Sequence, residues 1–230
     1  MSLILNIDTA VSLASVCLAR QGDTIQLAEN ENPQNHALWL HKAIDLLMKK
    51  ENVNFSDLDA IAVTNGPGSY TGLRVGLSAA KGLCYALNIP LITIGTLEVM
   101  AYAAKEEPVD LFCPMIDARR LEVFTALFDK ELNVVVPPHA LIITEECFQQ
   151  FYLSGKILFF GNGAPKMKSI LKQDILSLKN ILFKQVSYNA SSMSFYSYDA
   201  FNKKSFADIY YCEPTYLKNF YSNSSKNILE

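Results

Sequence analysis

The first half of the chain contains two kinds of hydrophobic segment. Short runs that are apolar, or that alternate with polar residues, predict five strands at residues 3–8, 15–20, 24–29, 60–65 and 91–94. Longer stretches with apolar residues three or four positions apart predict three helices at residues 36–50, 71–86 and 95–105. Strands and helices in this order are typical of an α/β lobe.

The second half contains the same kinds of segment in a less regular order. It predicts strands at residues 134–136, 141–144, 157–160 and 181–186, and helices at 145–153, from 165 onward and at 191–203. The turn Glu106-Glu107-Pro108 is the best boundary between the halves. We therefore expect two lobes, residues 1–106 and 107–230, with the C-terminal tail packing back on the first lobe.

An internal similarity links the two halves. Residues 6–18, NIDTAVSLASVCL, align without a gap on residues 115–127, MIDARRLEVFTAL. In both segments a strand ends at an aspartate, Asp8 or Asp117, and a short turn leads to a second strand. The separation of 109 residues is close to half of the 230-residue chain, as a duplicated lobe requires. By itself the alignment leaves both duplication and chance similarity open.

The stretch 65–83, NGPGSYTGLRVGLSAAKGL, changes from a glycine-proline loop into a helix. Ser69 and Thr71 are suitable N-cap residues, and the N–H groups at a helix start can bind an anion. The first three glycines are spaced G-x-G-x-x-x-G, which matches neither the dinucleotide fingerprint nor the phosphate loop. Both an anion contact and a simple capped turn are compatible with this loop.

The helix in this stretch carries a stripe of small residues, Gly72, Gly76 and Ala79. Glycine inside a helix costs about 1 kcal/mol relative to alanine, so a close contact should compensate for it. That contact is either with another part of the same chain or with a partner helix. The spacing alone leaves both open.

Composition narrows the class of protein. Half of the residues are hydrophobic and 19% are charged, a globular balance. The net charge of −3 argues against a dominant basic surface and leaves room only for a local basic patch. The five cysteines contain no CxxC pair, so we expect reduced thiols. With no signal peptide and no apolar run long enough to span a membrane, the expected location is the cytoplasm.

Several polar residues are candidates for chemistry. Six are candidate contacts for a nucleotide or another anion: Asp8, Thr9, Ser69, Tyr70, Asp117 and Arg119. Asp117 is followed by two arginines, which either bind an anion or pair with Glu122 or Asp117 itself. His36 and His41 lie five positions apart, about 140° around a helix, so one metal ion cannot easily contact both. We predict no metal site and no Ser-His-Asp arrangement.

Three segments together resemble one known family. GPGSYTGLRVGLSAAKGL at 66–83, MIDARRLEVFTALFD at 115–129 and EPTYLKNF at 213–220 are similar to the bacterial TsaB (YeaZ) family. The resemblance implies the ASKHA fold, in which two duplicated α/β lobes are arranged as in actin, sugar kinases and Hsp70. It would explain the similarity between the two halves of the chain.

The resemblance also implies a function in tRNA modification. Members of this family support the formation of threonylcarbamoyladenosine next to the anticodon of tRNAs that read codons beginning with A. The family subunit is a non-catalytic scaffold; a TsaD-like paralogue performs the transfer, and a TsaE-like ATPase joins the complex. The expected partners are these two proteins, a second copy when the chain is alone, and tRNA through the complex. No cofactor is expected in the chain, although ATP or ADP would be compatible with the complex interface.

The partner surface implied by the resemblance lies on two helices. In the catalytic paralogue an HxxxH metal motif occupies the helix that corresponds to 36–50, but here the second ligand position is Leu40. The predicted interface residues are His36, Leu40, Ile44, Leu47, Gly72, Leu73, Gly76, Leu77 and Ala80. The alternative function is a stand-alone ASKHA-type ATP-dependent kinase or hydrolase. Asp8, Asp117 and the turn Gly161-Asn162-Gly163 motivate that alternative.

Overall fold

The computed structural model describes residues 2–30 and 36–218, except for the side chain of His36. Ten strands lie in this part of the chain: β1 (Leu3–Asp8), β2 (Ser15–Arg20), β3 (Asp23–Glu29), β4 (Ala60–Gly66), β5 (Leu91–Gly95), β6 (Leu111–Asp117), β7 (Glu122–Asp129), β8 (Val134–Ile142), β9 (Ile157–Phe160) and β10 (Ile181–Phe183). The described α-helices are α1 (His36–Lys50), α2 (Tyr70–Leu87), α3 (Thr96–Ala103), α4 (Ala164–Ile170), α5 (Gln173–Leu176) and α6 (Ser194–Asn202).

The strands form two sheets with the same topology. The strand order is β3-β2-β1-β4-β5 in the first sheet and β8-β7-β6-β9-β10 in the second. In each sheet the first three strands in chain order pair antiparallel, and the two later strands add in parallel. Strands β1 and β6 are equivalent, and they end at Asp8 and Asp117. The duplicated two-lobe α/β architecture of the ASKHA fold is therefore confirmed.

Helices α1 and α2 cover one face of the first sheet. Their apolar stripes pack on alternate residues of β1, because side chains of a strand point to opposite faces with a period of two. Leu40 of α1 and Leu77 of α2 meet Leu5 and Ile7 of β1 in this cluster. The helix pattern recognised in the sequence is thus the pattern of the core of the first lobe.

Helix α3 forms a layer between the two sheets. Its residues Leu97 and Met100 pack with Phe112 and Phe160 of the second sheet, whereas Val99 packs with the first sheet. This shared apolar layer, together with the returning C-terminal segment, joins the lobes into one body.

The chain returns to the first lobe after β10. Met193 and α6 pack on the face of the first sheet opposite α1 and α2, and Ala207 forms an isolated bridge with Leu91 of β5. Residues 190–212 thus find their apolar contacts largely on the first sheet and on α3. The division into lobes 1–106 and 107–230 stays a prediction.

Two predicted elements differ from the structure. Residues 145–153 were expected to be helical, but they form turns and one short 3-10 segment, Gln149–Phe151, so the prediction is wrong. The separate strands predicted at 134–136 and 141–144 form a single strand, β8, that contains Pro137 and Pro138. Proline lacks an N–H group but is tolerated on an edge strand, and β8 is an edge strand of its sheet.

Within the described residues no helix is both long and apolar enough to cross a membrane. All five cysteines are free thiols, and three of them, Cys17, Cys84 and Cys113, are buried. Burial raises the pKa of both Cys84 and Cys113 to about 12, so these thiols are protonated at neutral pH and behave as small apolar side chains.

Candidate functional site

The glycines around the start of α2 allow other segments of the same chain to approach very closely. A Cβ atom at Gly72 would lie 2.0 Å from the carbonyl oxygen of Thr9, and one at Gly76 would lie 2.2 Å from the Thr9 hydroxyl. At Gly68 the obstacle is the carbonyl oxygen of Ala10, at 2.3 Å. The turn after β1 therefore fills the space along these glycines.

Hydrogen bonds fix this contact. The Ser69 side chain accepts a bond from the N–H of Gly72 at 3.2 Å and caps α2, as predicted. The N–H of Ser69 donates to Ala10 at 2.7 Å, and the Thr9 hydroxyl donates to the carbonyl of Gly72 at 2.7 Å. These bonds hold the turn after β1 against the first turn of α2, and the anion contact predicted at Ser69 and Tyr70 stays a prediction.

Most of the predicted interface residues are buried inside the first lobe. The side chains of Leu40, Ile44, Leu47, Leu73, Leu77 and Ala80 are at most 4% exposed. They form or flank the core of the first lobe, and Gly72 and Gly76 lie against Thr9. Their assignment to a partner interface stays a prediction. The side chain of His36 lies outside the described residues.

The outer side of the same two helices forms an open groove. Its volume is about 410 Å³, and it is lined by Ala37, His41, Val75, Ser78, Ala79, Gly82 and Leu83. A Cβ atom at Gly82 would have no neighbour within 4 Å. Gly82 therefore has no internal packing role, although it lies in the middle of α2. The groove is therefore one accessible part of the surface of α1 and α2.

Asp8 is buried at the carboxyl end of β1. Its side-chain oxygen Oδ1 accepts bonds from the N–H of Ala10 at 3.0 Å and from the hydroxyl of Thr64 at 2.7 Å. The other oxygen, Oδ2, is buried without a hydrogen-bond partner among the described residues. Desolvation by burial raises the pKa of Asp8, and the two hydrogen bonds offset only part of that effect. Asp8 therefore favours its protonated form more than a carboxyl in water does.

Four further buried polar groups lie without a partner among the described residues: the side-chain amide of Asn6 and the hydroxyls of Ser2, Thr96 and Tyr188. Asn6 shares its face of β1 with Asp8, since it lies two residues earlier. Burial, and secondarily the charge of Asp8, raises the pKa of Tyr188. A phenol near a buried carboxyl is thus contributed by the segment that returns from the second lobe.

Asp117 occupies the equivalent position in the second sheet but is exposed. Its side chain accepts a bond from the N–H of Arg119 at 2.6 Å and forms an ion pair with Lys166 of α4, also at 2.6 Å. Desolvation acts against ionisation, but the bonds from Lys166 and Arg119 outweigh it and lower the pKa of Asp117. The N–H of Asp117 itself donates to the side chain of Asn162 at 2.8 Å.

The C-terminal segment connects these two strand ends. The N–H of Thr215 donates to the carbonyl of Asn65 at 2.7 Å. A Cβ atom at Gly66 would lie only 2.6 Å from the carbonyl oxygen of Thr215. Further along, Lys218 donates to the carbonyl of Ala118 at 3.0 Å and forms an ion pair with Glu122. The segment therefore bridges the two lobes at the end where Asp8 and Asp117 lie.

The residues at this end of the molecule do not fit a nucleotide in the manner of an ASKHA kinase. The Asp8 carboxyl group is buried, Thr9 fills the space beside Gly72 and Gly76, and Asp117 is engaged by Lys166. A metal site of the HxxxH type does not fit either, because Leu40 replaces the second ligand and is fully buried. Among residues 2–30 and 36–218 no group of three His, Cys, Asp or Glu side chains is placed to hold a metal ion.

Sequence reasoning missed three residues of this region: Thr64, Tyr188 and Lys218. Thr64 lies two residues before the glycine loop, in a strand that read as uniformly apolar. Tyr188 and Lys218 are distant in sequence from the residues that they face, and no local pattern connects them. Only the path of the chain after β10 brings them to Asp8 and to the hairpin that follows Asp117.

The chain was compared with known proteins. The family described as "TsaD: tRNA N6-adenosine threonylcarbamoyltransferase" matches residues 30–219. The tRNA threonylcarbamoyladenosine biosynthesis protein TsaB of Bacillus subtilis is 29% identical over 220 residues, which cover 94% of this chain and 93% of that protein. The Escherichia coli protein of the same name is 30% identical over 187 residues, with 77% and 78% covered.

Solved structures agree in fold. The structure of YeaZ from Pseudomonas aeruginosa superposes with a TM-score of 0.80 at 22% identity, and the match covers 94% of this chain and all of that one. Because the family profile covers most of the chain and the curated relatives align over most of their own length, the chain belongs to the TsaD family and, within it, to the TsaB group of tRNA threonylcarbamoyladenosine biosynthesis proteins.

Proposed function

We propose that this protein is a cytoplasmic, non-catalytic subunit of the complex that forms threonylcarbamoyladenosine in tRNA. In this proposal a TsaD-like paralogue transfers the threonylcarbamoyl group to the adenosine next to the anticodon of tRNAs that read codons beginning with A. The protein described here holds that paralogue in its active arrangement. Membership of the TsaB group, whose proteins carry that biosynthetic name, is the observation that carries the proposal.

The scaffold role is supported by the state of the two aspartates. A group that activates a nucleophile or binds a metal must reach its substrate, whereas Asp8 is 1% exposed and hydrogen-bonded to Thr64 and Ala10. Asp117 is reachable but is neutralised by Lys166. For the same reasons neither Asp8 nor Asp117 is ready to hold Mg²⁺, as the rival function, an ATP-dependent kinase or hydrolase, would require. Micromolar binding of ATP and Mg²⁺ to the isolated chain, lost in Asp8→Ala, would support the rival.

The groove between α1 and α2 is the proposed contact surface for the TsaD-like partner. It is lined by small and apolar residues, and Leu38 on the same helix α1 is 82% exposed. Small residues allow two helix backbones to approach each other, and an exposed leucine beside them is typical of an interface. A second copy of the chain would use the same surface when the protein is alone.

The substitution Gly82→Leu tests this surface. Because nothing lies within 4 Å of a Cβ at this position, the folded protein should tolerate leucine, and loss of the helical glycine should even stabilise it. The new side chain occupies the groove, so we expect affinity for a co-expressed TsaD-like partner to fall at least tenfold in calorimetry. Gly76→Leu is unsuitable, since its side chain would collide with Thr9 inside the lobe.

Ser169→Leu serves as the matched control. Ser169 is exposed on α4 of the second lobe, away from the groove, and the same side chain there should leave the affinity unchanged. Normal partner binding by Gly82→Leu would contradict the assigned surface. Failure of the wild-type protein to bind any TsaD-like protein, or to support threonylcarbamoylation of a tRNA transcript, would contradict the function itself.

The finer assignments are part of the same proposal. A TsaE-like ATPase would join the pair, tRNA would be bound by the assembled complex, and ATP or ADP would be held at a junction between subunits. No cofactor is assigned to this chain. The molecular mass of the chain in solution, measured alone and with the TsaD-like and TsaE-like proteins, tests this assembly. Gly82→Leu should also abolish any homodimer.

A further inference from the structure

The β6–β7 hairpin carries two adjacent arginines in an unusual backbone conformation. Arg119 has φ of +67° and Arg120 has φ of +48°, a left-handed region that costs an L-residue about 1–2 kcal/mol. Both side chains are exposed. Within the described part of the chain, neither guanidinium lies within 4 Å of a carboxylate.

The acidic groups next to the hairpin are already neutralised. Asp117 pairs with Lys166, and Glu122 pairs with Lys218. Beyond a longer-range attraction between Arg119 and Asp117, the two arginines therefore add positive charge that no ion pair among the described residues balances. A local excess of positive charge on a protein with a net charge of −3 is the kind of patch that the overall composition does not reveal.

The C-terminal segment extends this patch onto the first lobe. Tyr216 lies two residues before Lys218, so their Cα atoms are within about 7 Å of each other. The Tyr216 hydroxyl accepts a bond from Nε of Arg74 at 3.0 Å, and the ring lies 5.3 Å from that of Tyr70. The Arg74 guanidinium stacks 3.9 Å above the Tyr70 ring.

The result is a surface on which three arginines and one lysine lie near two partly exposed aromatic rings. We define the basic-aromatic patch as Tyr70, Arg74, Arg119, Arg120, Tyr216 and Lys218. Its cations are spread over two lobes and a connecting segment. In a site for one small anion, the cationic side chains would instead converge on a single point. Distributed cations suit the phosphates of a polymer, and aromatic rings beside them suit stacking with unpaired bases.

We propose that the basic-aromatic patch contacts RNA directly, with Arg119 and Arg120 on backbone phosphates and Tyr70 and Tyr216 against unpaired bases. The identification of the polyanion as tRNA rests on the proposed function. This assigns to the subunit a share of substrate binding in addition to holding its partner.

The hairpin permits a substitution that removes the charges without harming the fold. Asparagine and glycine occupy positive φ more readily than arginine does, so the double variant Arg119→Asn with Arg120→Gly should be at least as stable as the wild type. A loss of RNA binding by this variant therefore cannot be attributed to unfolding. Thermal unfolding of both proteins verifies that condition.

The measurement is fluorescence anisotropy of a labelled, unmodified tRNA transcript titrated with the full-length chain at several salt concentrations from about 50 to 200 mM. Loss of two phosphate contacts should reduce the slope of log K against log salt by about 1.4–1.8, and the affinity at low salt should fall about tenfold. Lys203→Asn with Lys204→Gly is the matched control, because it removes two adjacent exposed lysines and Lys204 also has positive φ, +54°. The control should change the affinity less than about twofold.

Two results would overturn the inference. One is an unchanged affinity and salt slope in the hairpin variant. The other is complete displacement of the tRNA by ATP at equal concentration, which would make the patch a site for a small phosphate ligand. An assay of tRNA threonylcarbamoylation with the TsaD-like partner separates this inference from the proposed function. If the wild type supports modification and the hairpin variant binds RNA normally, the patch is refuted and the proposed function stands. If RNA binding depends on the patch but the wild type does not support modification, the proposed function is refuted and the patch stands.

Discussion

Asp8 and Asp117 end equivalent strands of two sheets with the same topology, yet their surroundings are opposite. Asp8 is 1% exposed and its pKa is raised, chiefly by desolvation. Asp117 is exposed; desolvation opposes its ionisation, but the hydrogen bonds and charges of Lys166 and Arg119 together outweigh it and lower its pKa. The two lobes thus share the same backbone path, but the surroundings of the aspartate at the strand end differ between them.

The difference arises from what covers each strand end. In the first lobe the glycines of α2 let the turn Thr9-Ala10 lie directly on the helix, and Tyr188 arrives from the returning segment. In the second lobe the turn after Asp117 carries arginines in place of small residues, so it projects into solvent. One lobe has used its strand end for close packing, and the other presents it as a charged surface.

The largest expected effect is the loss of stability when a methyl group is added to a glycine of α2 that packs against the turn after β1. Gly72→Ala should lower the free energy of unfolding by about 3 kcal/mol, because the obstacle at 2.0 Å is a backbone carbonyl that cannot move away. Gly163→Ala in the second lobe should cost only about 1–2 kcal/mol, since its nearest neighbour is the side chain of Val123 at 2.7 Å. Urea denaturation of both variants measures the difference.

Gly82→Ala is the control for that comparison, since it lies on the same helix with open space around it. It should raise the free energy of unfolding by up to about 1 kcal/mol. If Gly72→Ala proves as harmless as Gly82→Ala, the close contact between α2 and the turn after β1 is incorrect.

The next effect is the opposite pH dependence of the two aspartates. The folded pKa of Asp8 lies above its ordinary value of 3.8, so the folded protein binds this proton more tightly than the unfolded chain does. The associated stability is complete below pH 3.8 and is lost as the pH rises through the folded pKa. Asp8→Asn should therefore be more stable than the wild type at pH 7, and this advantage should disappear toward pH 4.

Asp117 should behave in the reverse sense. Its folded pKa is below 3.8, so its contribution is present above pH 3.8 and is lost as the pH falls through the folded value. Asp117→Asn should cost about 0.5 kcal/mol at pH 7, a small effect because the group is exposed to solvent. Denaturation curves between about pH 3 and 8 test both variants. If Asp8→Asn were less stable than the wild type at pH 7, the Asp8 carboxylate would be ionised and stabilised by its hydrogen bonds, which would contradict this prediction.

The smallest effect concerns the bridge between the lobes. Lys218→Met removes the ion pair with Glu122 and the bond to Ala118, two of the contacts that hold the C-terminal segment on the second lobe. We expect a loss of about 0.5–1 kcal/mol and faster proteolysis after residue 212. Lys184→Met, which breaks a similar surface pair with Glu107, is the control and should not change the proteolysis. Equal proteolysis of the two variants would contradict the bridging role.

Much of the fold could be predicted from local pattern. Strands β1 and β2 and helix α1 have the predicted bounds, and the alignment of residues 6–18 on 115–127 corresponds to equivalent strands of the two sheets. The N-cap at Ser69 was predictable because capping depends on neighbouring residues alone. Family membership followed from three short segments, and it was confirmed by relatives aligned over nearly the whole chain.

What the sequence could not decide is which face of each element is occupied. The stripe Gly72 and Gly76 was compatible with an internal contact and with a partner, and only the position of Thr9 assigns it to the interior. The burial of Asp8 likewise depends on Thr64 and Tyr188, which are 56 and 180 residues away in sequence. Periodicity determines that a helix has a contact face, because spacing along one element is local. The identity of the neighbour, and with it the charge state of an aspartate, is a property of the assembled lobes.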